Sequence, residues 1–262
     1  MGGHAPAYDA GRNAAGHVSW PSVPWGHDAS VSSATLRQAD HAARQQFGIE
    51  PLQLMEVAGW QVARFVDRFM NGIRGKRVTV VAGSGNNGGD GLVAARFLRQ
   101  RGAIVTASIV PSRDPTSLAA RHATTLRQLG IVLLEAPDGI AARTDLLVDG
   151  LLGTGIHPPL REPAPGIIQA MNATGPPIVA IDVPSGMDAH TGTGAPDAVR
   201  AAATVMLAAA KPGLANTTNA GRTFLADIGM PTSLFMAAGE AIAALYQRGD
   251  LIELVKAEVT PS

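Results

Sequence analysis

The chain has 262 residues, 46% of them hydrophobic and 16% charged, which is enough to bury the core of one domain. Lysine plus arginine and aspartate plus glutamate are balanced at 21 each, so no electrostatic attraction to nucleic acid or to an anionic membrane is expected. The absence of cysteine excludes disulfides, thiolate metal sites and a cysteine nucleophile. No apolar run is long enough to span a membrane and no secretory signal pattern is present, so we expect a soluble cytoplasmic protein.

Residues 1–30 are rich in glycine, alanine, histidine and proline and show no hydrophobic periodicity. Such a composition is typical of a flexible extension, and we predict one here. Trp20 and Trp25 offer an alternative, in which this segment docks on the body of the protein or on a neighbour. Residues 31–262 are then expected to form a single domain.

Helical periodicity runs from residue 33 to residue 71, and Gly48 divides it into two helices. The apolar positions of each helix fall on one face: Leu36, Ala39, Ala42 and Ala43 in the first, and Leu52, Met55, Ala58 and Val62 in the second. These helices precede the first strand, so they are an addition to a minimal nucleotide-binding fold.

Short apolar runs alternate with helix-length segments over the rest of the chain. The predicted strands are 77–83, 103–110, 131–134, 145–150, 177–182, 204–207 and 223–229. Because their apolar residues are continuous rather than alternating, these strands are expected to form a mostly parallel sheet with both faces covered by helices. The sequence therefore predicts a Rossmann-like, doubly wound α/β domain with extra N-terminal helices.

The first strand ends in the sequence GSGNNGGDG at residues 83–91, which contains a literal match to the dinucleotide motif G-x-G-x-x-G. The helix that opens here presents free backbone N–H groups to an anion, so a phosphate-bearing ligand is plausible. A dehydrogenase also needs an acid at the end of the second strand, and the nearest one, Asp114, lies beyond Pro111. A dehydrogenase is therefore disfavoured. In an alternative interpretation, the glycines serve only helix–strand packing.

Two further strand ends carry carboxylates that we expect at the same edge of the sheet, because ligands bind beyond the carboxyl ends of parallel strands. Asp149 is followed by GLLGTG, and Asp182 by VPSG. A helix cap is the alternative role for Asp149, and a structural Asx turn is the alternative for Asp182. Asn87, Asp149 and Ser185 would together offer one negative charge and two neutral oxygens. That set suits a monovalent cation better than Mg²⁺, although water or substrate could complete a divalent site.

Lys211 follows another predicted strand, so its ammonium group could reach the same crevice; an ordinary surface position is the alternative. The histidines show no metal-ligand spacing, and we predict that none of them binds a metal. The chain also lacks the Walker A lysine of a P-loop and the G-x-S-x-G nucleophile elbow.

In chain order, the motifs G-x-G-N-N-G-G-D-G, D-G-L-L-G-T-G, I-D-V-P-S-G, K-P-G and A-D-I-G-M-P resemble those of the YjeF N-terminal domain family. The resemblance runs from about residue 31 to residue 231 and beyond. It implies an NAD(P)H-hydrate epimerase, an isomerase that interconverts the R and S forms of hydrated NADH and NADPH (NADHX and NADPHX). A separate ATP- or ADP-dependent dehydratase would then use the S form to restore the cofactor.

The resemblance also implies roles for individual residues. Asp182 is implied to contact the nicotinamide end of the substrate. Inversion at the hydroxyl-bearing carbon needs a group that transfers a proton, and we expect Asp182 to be this group, with Lys211 or a bound water as the second candidate. One K⁺ ion per subunit is expected on Asn87, Asp149 and Ser185, and the protein is expected to form a homodimer. The implied substrate-binding residues are Asn86, Asn87, Gly88, Gly89, Asp90, Gly153, Thr154, Gly155, Ile156, His157, Pro158, Pro159 and Asp182.

The sequence departs from the family at Val57, where many members have asparagine, which puts a ligand contact from that helix in doubt. The 30-residue leader has no counterpart in the family that can be interpreted. The alternative function is a non-catalytic module, either for dimerisation or for binding a nucleotide- or RNA-related ligand. The presence of all four polar site residues, Asn87, Asp149, Asp182 and Ser185, favours the enzyme.

Overall fold

The computed structural model describes residues 19–140, 143–155, 159–194 and 197–256. These ranges contain one sheet of nine strands, six α-helices and three short 3-10 segments. The strands are β1 (Ser22–Pro24), β2 (Arg77–Ala82), β3 (Ile104–Ile109), β4 (Val132–Glu135), β5 (Leu146–Gly150), β6 (Ile178–Ile181), β7 (Ala203–Leu207), β8 (Arg222–Ala226) and β9 (Leu251–Val255). The helices are α1 (Ser33–Phe47), α2 (Pro51–Phe69), α3 (Asn86–Gln100), α4 (Leu118–Gln128), α5 (Ala164–Asn172) and α6 (Gly239–Tyr246).

Local signals delimit the two N-terminal helices as the periodicity predicted. The hydroxyl of Ser32 accepts a hydrogen bond from the Thr35 amide and so caps α1, and Gly48 ends this helix with a φ of 66°. Glu50 and Gln53 form a capping box at the start of α2, where the backbone groups of the first turn lack helical partners. The division into two helices at Gly48 is therefore confirmed.

The sheet has the order β1-β9-β8-β7-β6-β5-β2-β3-β4, and all its strand pairs are parallel except β8 with β9. From β2 the chain continues to β3 and β4 on one side, whereas β5 to β8 extend the sheet on the other side. Neighbouring loops diverge at such a switch in direction, and they leave a crevice at the carboxyl ends of the strands. The switch lies between β2 and β5.

Both faces of the sheet are covered, as the continuous apolar runs predicted. Val80 belongs to a core cluster shared with α2 and α3, while its neighbour Val81 belongs to a second cluster shared with α5. Successive strand residues point to opposite faces, so a strand covered on both sides must be apolar throughout. The prediction of a doubly wound, mostly parallel α/β fold is confirmed. None of the described helices has the length and apolar character needed to cross a membrane.

The predicted flexible extension covers residues 1–30, but part of residues 19–30 has regular structure. Ser22–Pro24 pair with β9 as an edge strand. Trp20 packs against Phe65 and Phe224, with ring centroids 5.1 Å apart in each case. Burial of this indole ring stabilises a segment whose composition gave no periodic signal. Residues 1–18 lie outside the described ranges.

Candidate functional site

A cavity of about 680 Å³ lies at the switch point of the sheet. Residues that follow β2, β5, β6 and β7 line one side of it, and α1 and α2 supply the opposite wall. The size and mixed polar and apolar lining are those of a pocket for a cofactor-sized ligand. The three predicted strand-end motifs and Lys211 are thus brought together, as expected from the parallel topology.

The glycine turn after β2 is shaped by packing as well as by the cavity. A Cβ atom on Gly83 would lie 1.9 Å from the Leu151 carbonyl oxygen, and one on Gly88 would lie 1.9 Å from the Gly83 carbonyl oxygen. A Cβ on Gly85 would have no atom within 4 Å, and Gly85 lines the cavity. Most of these glycines therefore allow backbone segments of the protein to approach one another, and Gly85 leaves room on the ligand side.

Four residues form a hydrogen-bonded group that joins the loops after β2, β5 and β6: Asn87, Asp149, Leu152 and Ser185. We call this group the loop cluster. The Ser185 hydroxyl donates to the Asp149 carboxylate at 2.6 Å, and the Ser185 amide donates to its other oxygen at 2.8 Å. The Leu152 amide donates to the Ser185 hydroxyl oxygen at 2.9 Å, and the Asn87 side-chain amide donates to the Leu152 carbonyl at 2.7 Å.

The electrostatics of the loop cluster centre on Asp149, whose side chain is completely buried. Burial raises the pKa of this carboxyl to about 6, while hydrogen bonds from Ser185 and Leu151 oppose the rise. Burial in a low dielectric disfavours a carboxylate, and donated hydrogen bonds favour it. The proposed alternative role of Asp149 as a helix cap is not observed, because the carboxylate instead ties two loops together.

The Asn87 side chain has a buried carbonyl oxygen, Oδ1, without a hydrogen-bond partner in the described part of the protein. A buried acceptor of this kind is costly unless a cation or water satisfies it. Together with Asp149 and Ser185 it gives an oxygen-only donor set with one negative charge. Among the described residues no group of three or more histidines and carboxylates suits a transition metal. The donors present fit a weakly demanding hard cation.

Asp182 and Lys211 form an ion pair on the wall of the cavity. The lysine is only 1% exposed, so its alternative placement on the surface is wrong. Its ammonium group also donates to the Leu207 carbonyl at 2.6 Å, and the Leu207 amide donates to the Asp182 carboxylate at 3.0 Å. The aspartate has a φ of 66°, a left-handed conformation that is uncommon for a residue other than glycine. Such a conformation is held by surrounding structure and is frequent at functional sites.

Two further carboxyl groups line the same cavity. Asp90, on the first turns of α3, is 9% exposed, and Asp40 projects from α1. Burial raises the pKa of Asp90 well above its usual range, and the negative charges of Asp182 and Asp40 add to the rise while Lys211 opposes it. Partial desolvation and the charge of Asp182 likewise raise the pKa of Asp40. The sequence analysis did not single out Asp40.

The wall formed by the N-terminal helices was also missed as part of the site. Arg37 and Asp40 lie three residues apart on α1 and both line the cavity, as do Leu54 and Met55 of α2. Charged residues adjoin the predicted apolar face of α1, but that local pattern does not specify where the helix packs. Val57 is 37% exposed and is not among the described residues that line the cavity.

The structure places most, but not all, of the predicted substrate-binding residues on the cavity. Those that line it are Asn86, Asn87, Asp90, Gly153, Thr154, Gly155 and Asp182. Gly88 and Gly89 are buried behind its wall, where Gly89 packs beside Met55, and Pro159 is exposed elsewhere. Ile156, His157 and Pro158 lie outside the described residues.

A doubly wound sheet with a cavity at its switch point defines a class of open α/β proteins in which ligands bind beyond the carboxyl ends of the strands. Within that class the chain belongs to the family described as YjeF-related protein N-terminus, whose profile matches residues 51–213. The family resemblance inferred from the motifs is therefore confirmed.

Related proteins agree with this assignment. The chain is 34% identical over 239 residues to a protein of Salinibacter ruber named bifunctional NAD(P)H-hydrate repair enzyme Nnr, a match that covers 84% of this chain and 44% of the relative. A protein of Archaeoglobus fulgidus with the same name is 39% identical, over 78% of this chain and 43% of its own. The chain thus spans less than half the length of these relatives.

A solved structure agrees with the fold described for this chain, and nearly all of the solved chain is matched. The crystal structure of the yeast protein YNL200c superposes with a TM-score of 0.72 at 28% identity. The match covers 88% of this chain and 97% of the yeast chain.

Proposed function

We propose that this protein interconverts the R and S forms of hydrated NADH and NADPH, and that it is an isomerase. The observation that carries the proposal is the buried Asp182–Lys211 ion pair, which shares one cavity with the glycine turn at the start of α3. The names of the relatives, which are bifunctional NAD(P)H-hydrate repair enzymes, supply the substrate class. Epimerisation is the part of that repair that needs only a proton carrier and a binding pocket.

The cavity has the features that a dinucleotide requires. The backbone N–H groups at the start of α3 face the same space as Ser84, Gly85 and Asn86, and they favour an anion such as the diphosphate. Arg37 and Arg161 add positive charge at the rim. With the diphosphate held there, the hydrated nicotinamide ring would lie toward Asp182 and Lys211.

Inversion at the hydroxyl-bearing carbon requires a bond to break with the help of the lone pair on the ring nitrogen. Either hydroxide leaves or the ring opens, and both routes need a group that gives and takes a proton near the reacting carbon. We assign this role to Asp182, which lies on the cavity wall and is held in place by Leu207 and Lys211. Lys211, fixed by the same contacts, is the second candidate.

We also propose a potassium ion on Asn87, Asp149 and Ser185. The support is the unpartnered Oδ1 of Asn87 together with a buried carboxylate and a hydroxyl on two neighbouring loops. When bound, K⁺ would neutralise the buried charge and fix the three loops relative to one another. The loop cluster holds the glycine turn and residues 153–155 on either side of the cavity.

The epimerase proposal is tested with purified R-hydrate, an S-specific dehydratase and its nucleotide. Consumption of the R form is followed with and without this protein. We expect strong acceleration over spontaneous epimerisation. An unchanged rate of R-form consumption, with the S form still consumed, would refute the proposal.

The potassium proposal is tested by thermal unfolding in potassium, sodium and lithium buffers of equal ionic strength. We expect potassium to raise the Tm of the wild type, because a ligand that binds only the folded state stabilises it. The rise should be absent in Asn87→Ala and Asp149→Asn but retained in Asp182→Asn, whose side chain lies outside the loop cluster. Equal Tm values in the three salts would contradict the proposal.

Three further predictions accompany this function. We propose that the S epimer passes to a separate dehydratase, that the protein acts as a homodimer and that it works in the cytoplasm. Sedimentation equilibrium measures the oligomeric state. The non-catalytic alternative is not favoured, since the matched relatives are named as enzymes and Asn87, Asp90, Asp182 and Lys211 line one cavity.

A further inference from the structure

Asp90 is a buried carboxyl group for which the sequence suggested only a binding role. It lies on the first turns of α3, 9% exposed, and lines the cavity. No hydrogen bond to its carboxyl oxygens is formed within the described part of the protein. Its situation differs from that of Asp149, which is also buried but receives three hydrogen bonds. Burial without donors from the protein disfavours the charged form of a carboxyl group.

Asp182 lies on the same cavity but in the opposite electrostatic setting. The Lys211 ammonium and the Leu207 amide both donate to its carboxylate. The cavity therefore contains one carboxyl group with donors from the protein and another without them. The two groups come from different elements, Asp90 from α3 and Asp182 from the end of β6.

The charged groups around Asp90 add to this difference between the two carboxyl groups. Asp182 after β6 and Asp40 on α1 act on it with negative charge, and Lys211 after β7 acts with positive charge. Arg37 on α1 and Arg161 also line the cavity. Burial and the two carboxylates together hold the proton on Asp90, and they raise its pKa. A carboxyl group in a cavity whose pKa is raised in this way is typical of a general acid.

We propose that Asp90 is a second catalytic residue of the epimerisation, the general acid that works opposite Asp182 as general base. The proposal rests on the proposed epimerase function. Exchange of the hydroxyl between the two faces of a ring needs two proton-transferring groups, because the leaving oxygen and the entering oxygen lie on opposite faces. One carboxyl group alone reaches only one face.

The step balances without any further reactant. The Asp90 carboxyl group gives its proton to the ring hydroxyl, the C–O bond breaks to release water, and the lone pair on the ring nitrogen forms the C=N bond. A water molecule on the other face then adds to this carbon and gives its proton to the Asp182 carboxylate. One proton has passed from Asp90 to Asp182, and Asp40 together with solvent returns it. In the reverse reaction the two aspartates exchange roles.

The first test compares Asp90→Asn with the wild type for kcat, KM and the pH dependence of kcat, after the spontaneous rate has been subtracted. We expect kcat to fall at least about 100-fold, the usual contribution of a general acid. We also expect the loss of the decline in kcat on the basic side, since that decline reports deprotonation of the acid. Asp90→Glu should recover part of kcat. Asp114→Asn, which changes an exposed carboxyl group that does not line the cavity, should match the wild type.

Binding and folding are followed in parallel, by titration with NADPH as an unreactive ligand and by thermal unfolding. Unchanged NADPH affinity and an undiminished Tm in Asp90→Asn support an acid role. A raised KM with unchanged kcat, or a wild-type pH profile, would reduce Asp90 to a binding residue and overturn the proposal. A wild-type protein without epimerase activity would instead refute the proposed function itself.

The second test needs no variant. The wild type is allowed to epimerise the substrate in H₂¹⁸O, and the isotope content of the product hydroxyl is measured against a blank without enzyme. Departure of water and its re-addition place one ¹⁸O in each epimerised molecule. Epimerised product without ¹⁸O above the blank would show ring opening with retention of oxygen, and would rule out a two-sided acid–base mechanism.

Discussion

Buried carboxyl groups have different surroundings in two parts of the site. In the loop cluster, Asp149 is completely buried and accepts three hydrogen bonds from Ser185 and Leu151. Elsewhere on the cavity, Asp90 of α3 is nearly as buried but lies near two other carboxyl groups, Asp40 and Asp182. Burial raises the pKa in both places. The difference lies in the neighbouring groups. Donated hydrogen bonds make Asp149 a structural link between loops, whereas neighbouring carboxylates favour a protonated Asp90 that can exchange its proton.

This comparison implies that substitutions in the two parts should have different effects. Changes to Asp90 and Asp182, the proposed proton-transferring groups, should act mainly on the rate. Changes in the loop cluster should lower stability, because they remove ties between three loops. The predictions below are given in decreasing order of expected effect.

The largest effect is expected for Asp182→Asn, which removes the proposed base. We expect kcat to fall about 1000-fold, equivalent to about 4 kcal/mol of transition-state stabilisation. Steady-state kinetics with purified R-hydrate measures it. The change leaves the buried Lys211 ammonium without its carboxylate, so Asp182→Asn/Lys211→Met is the companion variant for folding. A wild-type kcat in either variant would remove Asp182 from the mechanism.

In the loop cluster, Asp149→Ala should lower the free energy of unfolding by about 3 kcal/mol, because three buried donors lose their acceptor. Asp149→Asn keeps one acceptor oxygen and should cost less. Urea unfolding followed by circular dichroism measures both. Equal stabilities of the two variants and the wild type would mean that these hydrogen bonds do not tie the loops.

Gly83 and Gly85 of the glycine turn are a matched pair of positions for a steric test. Gly83→Ala places a Cβ 1.9 Å from the Leu151 carbonyl oxygen, whereas at Gly85 no atom lies within 4 Å of the new Cβ. We expect Gly83→Ala to lower the free energy of unfolding by about 2 kcal/mol through overpacking. Gly85→Ala should leave stability nearly unchanged and weaken ligand binding instead. The reverse pattern would show that the glycines of the turn serve the ligand rather than the fold.

The last effect, which is small over any one pH unit, concerns the pH dependence of stability. The pKa of Asp90 is higher in the folded protein than in the unfolded chain, so folded Asp90 holds its proton more tightly. The wild type should therefore lose stability relative to Asp90→Asn as the pH rises above about 4, by at most about 1.4 kcal/mol per pH unit until Asp90 ionises. Urea unfolding of both proteins between pH 4 and pH 8 measures the difference. A difference that does not change with pH would mean that Asp90 is not held protonated.

Much of the site could be predicted because parallel strands align their carboxyl ends. Once the apolar runs had been recognised as strands, Asn87, Asp149, Asp182 and Ser185 had to lie at one edge of one sheet. The cavity wall from α1 could not be predicted in the same way. Asp40 and Arg37 reach the site only because α1 packs across the end of the sheet, and no local signal in a helix specifies that placement.

The sequence by itself determined the α/β class, the principal strands, the two N-terminal helices and the motifs that define the family. These depend on short-range periodicity, glycine turns and caps, which neighbouring residues encode. The tertiary structure decided that residues 22–24 form a strand on β9, that Lys211 is buried against Asp182 and that Asp90 faces other carboxyl groups. Those outcomes depend on contacts between distant segments and on the low dielectric that their packing creates, and neither can be read from a local pattern.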